Sequence, residues 1–279
     1  MTISDLLKIG SDLLNDAGKD DSNFDASILA QYVLDCDYSF LKLHCNETVG
    51  KEKKDLFFEF VKRRANGEPL QYIIGEWEFM GLPFKVGRGV LIPRPETEIL
   101  VEFSVDFLKD RDNPIVFDLC SGSGCIGISV AKLCPNVTVY SVEKSEKAFQ
   151  YLLSNVELNR VKNVKPINGD IFDRSILSDI TPDLILSNPP YIRSSEIDGL
   201  QHEVKKEPVM ALDGGSDGLL FYREIADFWI DKISDNGAVA VECGEDQTYE
   251  IATLFAGKHM RSEMYIDYGN LPRGVIAYK

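Results

Sequence analysis

The stretch Val116-Phe117-Asp118-Leu119-Cys120-Ser121-Gly122-Ser123-Gly124-Cys125-Ile126-Gly127 reads as a strand, a glycine-rich turn and the start of a helix. Glycines let such a turn approach a ligand closely, and the helix N-terminus behind them favours electron-rich groups. In a doubly wound sheet this corner is the carboxyl-end crevice where nucleotides sit. Gly122-x-Gly124-x-x-Gly127 also fits the dinucleotide fingerprint, a pattern of low specificity by itself. Asp118, before the glycines, separates the ligand classes. A carboxylate there repels a pyrophosphate but attracts a cationic amine and a sulfonium, and S-adenosylmethionine (S-adenosyl-L-methionine) carries both.

Strands and helices alternate outward from this turn. Short apolar strands are predicted at Ile115–Phe117, Val137–Val142, Val164–Ile167, Leu184–Leu186 and Ala238–Val241, with helical patterns at Ile126–Leu133, Glu146–Leu158 and Leu219–Ile233. Such alternation implies a mostly parallel sheet covered on both faces. Met264–Ile266 and Val275–Tyr278 follow with no helix between them and fit an antiparallel edge hairpin. Two more acidic residues end strands near the turn. Glu143 can accept both ribose hydroxyls of an adenosine, and Asp170 can meet the adenine amino group, with Ile171 or Phe172 covering the ring.

Before residue 70 the texture is helical. Ile3, Leu6, Leu7, Leu13 and Leu14 recur at helical spacing, as do Leu29, Val33 and Leu34 in Ser27–Cys36. In Lys51–Ala65, Leu56, Phe57, Phe60 and Val61 share a face, and Gly67 follows as a cap. Lys62-Arg63-Arg64 in this helix reads as a solvated basic face. Between residues 70 and 93, two short strands near Glu76–Phe79 and Leu82–Val86 form a hairpin around Met80-Gly81, and Pro93 and Pro95 close the segment.

Asn188-Pro189-Pro190-Tyr191 carries the chemistry. An apolar strand runs straight into two prolines, which stop the ladder and stiffen the loop at the carboxyl end of the sheet. Asn188 Oδ1 and the Pro189 carbonyl, with the Pro190 carbonyl beside them, offer acceptors without a competing proline N–H. Two such acceptors suit a planar NH2 group whose lone pair is delocalised. They orient its nitrogen and stabilise the positive charge that grows as a methyl arrives, while Tyr191 packs on its flat face.

The composition narrows the partners. At 279 residues there is room for a large domain and a small one, and a formal charge of −15 argues against nucleic acid as the main partner. Six cysteines include no C-x-x-C pair, and three histidines are scattered, so no metal site is expected. With neither a long apolar run nor a signal-peptide pattern, the expected location is the cytoplasm and no membrane contact is anticipated. Nothing in the sequence demands an assembly, so a monomer is expected.

With these motifs in place, the chain resembles the protein-glutamine N5-methyltransferases of peptide chain release factors, the HemK/PrmC family. The resemblance runs through Pro69–Glu76, Gly81–Val86, Gly89–Glu98 with its Pro93-Arg94-Pro95-Glu96-Thr97-Glu98 run, Asn188–Tyr191, Glu207-Pro208, Ala211–Gly215 and Asp217–Leu219. It implies an α/β fold: a Rossmann-like class I methyltransferase domain with a mostly parallel seven-stranded sheet and an antiparallel edge hairpin, plus a small N-terminal helical domain. The implied layout is a helical bundle over residues 1–70 that docks the substrate protein, a β-hairpin connector over 71–93 and the methyltransferase domain over 94–279. It implies catalysis at Asn188, Pro189 and Tyr191, and a glutamine of a Gly-Gly-Gln loop in a class 1 release factor held by Asn188, Pro189, Pro190 and Tyr191. Implied cofactor contacts for S-adenosyl-L-methionine are Cys120, Ser121, Gly122, Ser123, Gly124, Glu143, Ile171 and Asn188, to which the turn chemistry adds Asp118 and Asp170. The sequence departs from the family in having Cys120 where Gly is frequent, Glu143 where Asp is usual and Ile171 where an aromatic occurs. Adenine-N6 nucleic-acid methyltransferases share the tetrad, a relative acts on a ribosomal-protein glutamine, and an NAD site or a non-enzymatic binding module completes the alternatives.

Overall fold

The computed structural model describes residues 1–279. They form two compact units: Met1–Glu76 with Gln201–Lys206, and Trp77–Leu200 with Glu207–Lys279.

The first unit contains α1 (Ile3–Asp16), α2 (Ser22–Leu34), α3 (Tyr38–Leu43), α4 (Lys51–Ala65) and α5 (Leu70–Ile74). Thr2 starts α1 with a reciprocal cap: its hydroxyl accepts from Asp5 N–H at 3.1 Å, and the Asp5 carboxylate accepts from Thr2 N–H at 2.9 Å. Leu6, Leu14, Leu29, Phe57 and Val61 fill the centre. Leu13 and Leu56 instead face outward, because helical spacing alone does not say how wide the buried stripe is. Tyr38–Leu43 forms a separate short helix, capped by Asp37 accepting from Phe40 N–H at 2.7 Å.

The basic run of α4 is not simply solvated. Arg64 is buried and bonds Asp25 Oδ2 and Glu203 Oε1, both at 2.6 Å, while Lys19 reaches the same Glu203 at 2.8 Å. A guanidinium with two carboxylate partners stays charged in a place where a lone carboxylate would not. This network fastens Gln201–Lys206, far along the chain, to the helical unit.

The hairpin β1 (Glu76–Phe79) and β2 (Leu82–Lys85) begins on the last residue of the first stretch and otherwise belongs to the second unit, followed there by α6 (Glu98–Leu108). Then come β3 (Ile115–Leu119), α7 (Cys125–Leu133), β4 (Thr138–Glu143), α8 (Glu146–Asn159), β5 (Val164–Asn168) and β6 (Leu184–Ser187). After three short 3-10 turns, α9 (Leu220–Glu224) continues through a π-helical turn (Ile225–Trp229) and a 3-10 turn (Ile230–Lys232). Last are β7 (Ala238–Glu242), α10 (Thr248–Ala256), β8 (Arg261–Ile266) and β9 (Pro272–Tyr278).

Seven strands form one sheet in the order β5-β4-β3-β6-β7-β9-β8. The first five are parallel, and β9 runs antiparallel to both β7 and β8, as the edge-hairpin reading expects. Alternate strand residues bury opposite ways: Val116, Leu184 and Ala240 pack with α6, α7 and α8, whereas Phe117, Ile185 and Val241 pack with Tyr222, Trp229 and Phe255. Helices on both faces make each central strand apolar throughout.

The chain moves outward from β3 to β4 and β5, then returns with β6 on the other side of β3. That reversal opens a crevice at the carboxyl ends of β3 and β6. Leu119 pairs with Ser187, and Ser187 Oγ donates to the Leu119 carbonyl at 2.7 Å. The glycine turn after β3 and the tetrad after β6 therefore start side by side.

Removing the Arg64 side chain leaves the Asp25 carboxylate buried without its cation. Breaking a buried pair on one side costs about 3–5 kcal/mol. Arg64→Ala is expected to lower the stability of the helical unit by that amount in urea titration followed by circular dichroism; an unchanged midpoint would show that the network holds nothing.

Candidate active site

A cleft lies at the reversal of strand order. It holds about 970 Å³ of atom-free space including its open mouth, enough for a nucleoside-sized ligand and a side chain beside it. Of the residues expected at the site, Cys120, Ser121, Gly122, Ser123, Glu143, Asp170, Ile171, Asn188 and Pro190 line it. Asp118, Gly124, Pro189 and Tyr191 do not.

The floor is the glycine turn. Gly124 has φ +81, the left-handed region, and a Cβ on it would strike Leu152 and Ile128. Cys120 adopts φ +60 without being glycine, so its backbone carries strain at the lip of the cleft. Ser121 N–H donates to the Val142 carbonyl at 3.0 Å, and Gly124 N–H to the Ser121 carbonyl at 2.7 Å.

Glu143 ends β4 and braces the turn from beside it. Its Oε2 accepts from Gly122 N–H at 2.8 Å and its Oε1 from Ser145 N–H at 2.6 Å. Burial raises its pKa, opposed by these backbone donors. Each oxygen keeps a lone pair after those bonds, which is the donor-seeking pair that a vicinal diol matches.

Asp118 departs from expectation. It is fully buried under the turn, and its Oδ2 accepts from Gly127 N–H and Ser141 Oγ, each at 3.2 Å. Burial pushes its carboxyl up to about 7. Its Oδ1 and the hydroxyl of Ser121 have no partner in the chain. Asp118 thus ties the start of α7 to β3 and β4 instead of lining the cleft.

One wall comes from Ile171, buried, with its carbonyl accepting from Trp229 Nε1 at 3.0 Å. The π-helical turn brings that indole to full burial. Phe172 does not line the cleft. It packs edge-on against Phe221 at 5.4 Å, and Phe221 supplies the aromatic surface there. Asp170 at the rim pairs with Lys144 at 2.8 Å.

The opposite wall is the tetrad loop. Asn188 Nδ2 donates to Thr97 Oγ1 at 3.1 Å, and Thr97 Oγ1 donates to Glu242 Oε2 at 2.6 Å. Tyr191 packs against the core behind the cleft, its carbonyl accepting from Gln247 Nε2 at 2.9 Å and its phenol pushed up to about 12 by burial. A Cβ on Gly214 would lie 2.7 Å from both the Pro190 carbonyl oxygen and the Tyr191 Cα, so the Ala211–Gly215 run lies flat against the loop. Glu207 fixes the neighbouring segment: it accepts from Ile92 N–H at 3.0 Å and pairs with Arg94.

Thr97, Glu242, Arg94, Glu207 and Phe221 did not emerge as site residues from the sequence. Glu242 carried a signal, an acidic residue directly after the apolar strand Ala-Val-Ala-Val, the pattern by which Glu143 stands out. Phe221 carried none, because only the return of its helix over the sheet brings it to the cleft.

Comparison with known proteins fits this geometry. The family model for the PrmC N-terminal domain matches residues 5–75, and that for the TRM5/TYW2 methyltransferase domain matches residues 106–228. The release factor glutamine methyltransferase of Clostridium acetobutylicum is 36% identical over 100% of this chain and 99% of its own length. That of Fusobacterium nucleatum is 38% identical over 91% of this chain and 73% of its own. Among solved structures, the hMettl16 catalytic domain in complex with MAT2A 3'UTR hairpin 1 aligns at TM-score 0.58 and 13% identity, covering 90% of each chain. A methyltransferase from Pyrococcus furiosus aligns at TM-score 0.51 and 20% identity, over 72% of this chain and 90% of that one. Those two likenesses concern the fold alone. Sheet order, glycine turn and tetrad loop together define a Rossmann-like methyltransferase with a helical N-terminal unit. The similarity over the full length then places it more narrowly: the chain belongs to the release factor glutamine methyltransferase family.

Buried Glu242 is pushed up to about 7, chiefly by desolvation, against the hydrogen bond from Thr97 and the charge of Arg273. A raised carboxyl favours the folded state while protonated. That contribution is complete below its ordinary value of 4.5 and is lost as the pH climbs through about 7. Melting temperature is expected to fall more steeply between these limits in the wild type than in Glu242→Gln, measured by calorimetry; parallel curves would remove Glu242 as a source of the pH dependence.

Proposed function

We propose that this protein methylates the side-chain amide nitrogen (N5) of the glutamine in the Gly-Gly-Gln loop of class 1 peptide chain release factors, using S-adenosyl-L-methionine. The observation that carries the reading is the meeting of Asn188 and Pro190 with Ser121, Gly122 and Glu143 in one cleft at the carboxyl ends of β6, β3 and β4. Identity to the Clostridium acetobutylicum relative along the whole chain supports the same substrate.

The residues present suit the cofactor. Glu143 has lone pairs left for a ribose diol, Ile171 and Phe221 offer an apolar slot for a base, and the unpartnered Ser121 hydroxyl suits the polar amino acid end. When bound, S-adenosyl-L-methionine supplies an electrophilic methyl on sulfur. Asn188 Oδ1 takes one N–H of the substrate amide and a carbonyl of the Pro189-Pro190 backbone takes the other, Pro190 being the proline that lines the cleft. These bonds aim the nitrogen and stabilise the positive charge that grows on it. Transfer forms a carbon–nitrogen bond, leaves sulfur as a neutral thioether and releases one proton from the nitrogen to water. Tyr191 and Gly214 hold the loop in place from behind. The helical unit, which carries the PrmC N-terminal match, docks the release factor.

With labelled S-adenosyl-L-methionine and a class 1 release factor, label is expected in the wild-type factor and none in one whose Gly-Gly-Gln glutamine is replaced. Asn188→Ala is expected to lower kcat at least about 100-fold, as for loss of a group that stabilises developing charge. Equal labelling of the replaced factor, or near-normal turnover by Asn188→Ala, would reject the reading.

Glu143→Ala removes the acceptor of the ribose hydroxyls and of two backbone N–H groups. The dissociation constant for S-adenosyl-L-methionine is expected to rise at least about 10-fold, the cost of one charged hydrogen-bond acceptor. An unchanged value by calorimetry would reject the ribose assignment.

A further inference from the structure

A carboxamide has two ends of nearly the same size, one that accepts hydrogen bonds and one that donates them. Shape alone does not choose between them, yet an Asn188 turned the wrong way round presents two N–H donors to an amide that also donates. In this structure the choice is made by a neighbour with only one proton to give.

Thr97 lies in the 3-10 turn Pro95–Thr97, just before α6, and is 2% exposed. Its hydroxyl proton goes to Glu242 Oε2 at 2.6 Å. What remains on Oγ1 is lone pairs, so the group that faces it from Asn188 has to be a donor, and Nδ2 stands there at 3.1 Å. Glu242 is held to this task. It follows Val241 on β7, whose partner on β6 is Ser187, so Glu242 comes next to Asn188 by strand register. Its carbonyl accepts from Tyr222 Oη at 2.7 Å, and its own backbone pairs with Gly274 of β9. A fully buried carboxyl is costly, and in exchange its Oε2 gives the Thr97 hydroxyl an acceptor that fixes the direction of the hydrogen-bond chain.

We propose that Thr97 and Glu242 are positioning residues that set the polarity of the Asn188 carboxamide, so that Oδ1 and not Nδ2 is presented to the substrate amide. The proposal rests on the reading of Asn188 as an acceptor for that amide. Three segments far apart in sequence make the chain: the turn before α6, the loop after β6 and the end of β7. Part of the Pro93–Glu98 run is thereby given work: Thr97 orients the side chain that meets the substrate, while Arg94 holds Glu207.

The test uses the full chain, labelled S-adenosyl-L-methionine and a class 1 release factor. Thr97→Val keeps the shape and removes the hydroxyl; kcat is expected to fall about 100-fold, while the KM for the factor and the Kd for the cofactor stay within about threefold. Thr97→Ser returns the hydroxyl and is expected to recover most of the lost kcat. Glu242→Gln can still take the Thr97 proton on Oε1 and should turn over faster than Glu242→Leu; this pair carries the test if the valine variant does not fold. The proposal is overturned if Thr97→Val turns over normally, if it loses cofactor affinity in step with kcat, if serine is no better than valine, or if glutamine at 242 is no better than leucine. Asn188→Ala separates the two levels. An inactive Asn188→Ala beside a normal Thr97→Val removes only the positioning role, whereas an active Asn188→Ala removes the reading beneath it.

Discussion

The pairing of β3 with β6 is the constraint on which the site depends. Their carboxyl ends lie in register at Leu119 and Ser187, and the Ser187 hydroxyl closes the seam on the Leu119 carbonyl. One step beyond that seam, the first strand turns into glycines and the second into prolines. A shift of one residue would send Asn188 to the other face of the sheet, because strand side chains alternate. Phe117 and Ile185 pack on one face and Val116 and Leu184 on the other, so such a slip would exchange the side chains fitted into both buried layers.

Around the seam, carboxyl groups stand at strand ends with different surroundings. Glu143 accepts two backbone N–H bonds and stays at the cleft. Asp118 is sealed beneath the turn and braces α7. Glu242 is sealed behind the tetrad and takes the proton of Thr97. The same residue class thus serves as a ligand-facing acceptor, a brace and an orienting group, and burial with the available donors decides which.

Some readings depended only on local chemistry and survived folding. The hairpin of Glu76–Phe79 with Leu82–Lys85, the helix at Lys51–Ala65 and the antiparallel pair at the carboxyl terminus are short-range patterns. Others failed where a distant partner intervened. Arg64 reads as part of a solvated basic run until Asp25 and Glu203 are placed against it. Phe172 is the aromatic nearest in sequence to Ile171, but Phe221 is the one at the cleft. Tyr191 belongs to the tetrad by sequence and to the core packing by structure.

By itself, the sequence determined the α/β alternation, the glycine turn, the stiff Asn-Pro-Pro loop and the acidic strand ends, because each is written in residues close along the chain. Only the tertiary structure decided which of these meet. Strand order brought the turn and the loop together, burial withdrew Asp118 and Tyr191 from the cleft, and the approach of Thr97 and Glu242 gave the Asn188 carboxamide a direction. Those outcomes rest on contacts between residues some 20 to 150 positions apart, and hydrogen-bond direction and desolvation at such contacts exist only once the chain has folded.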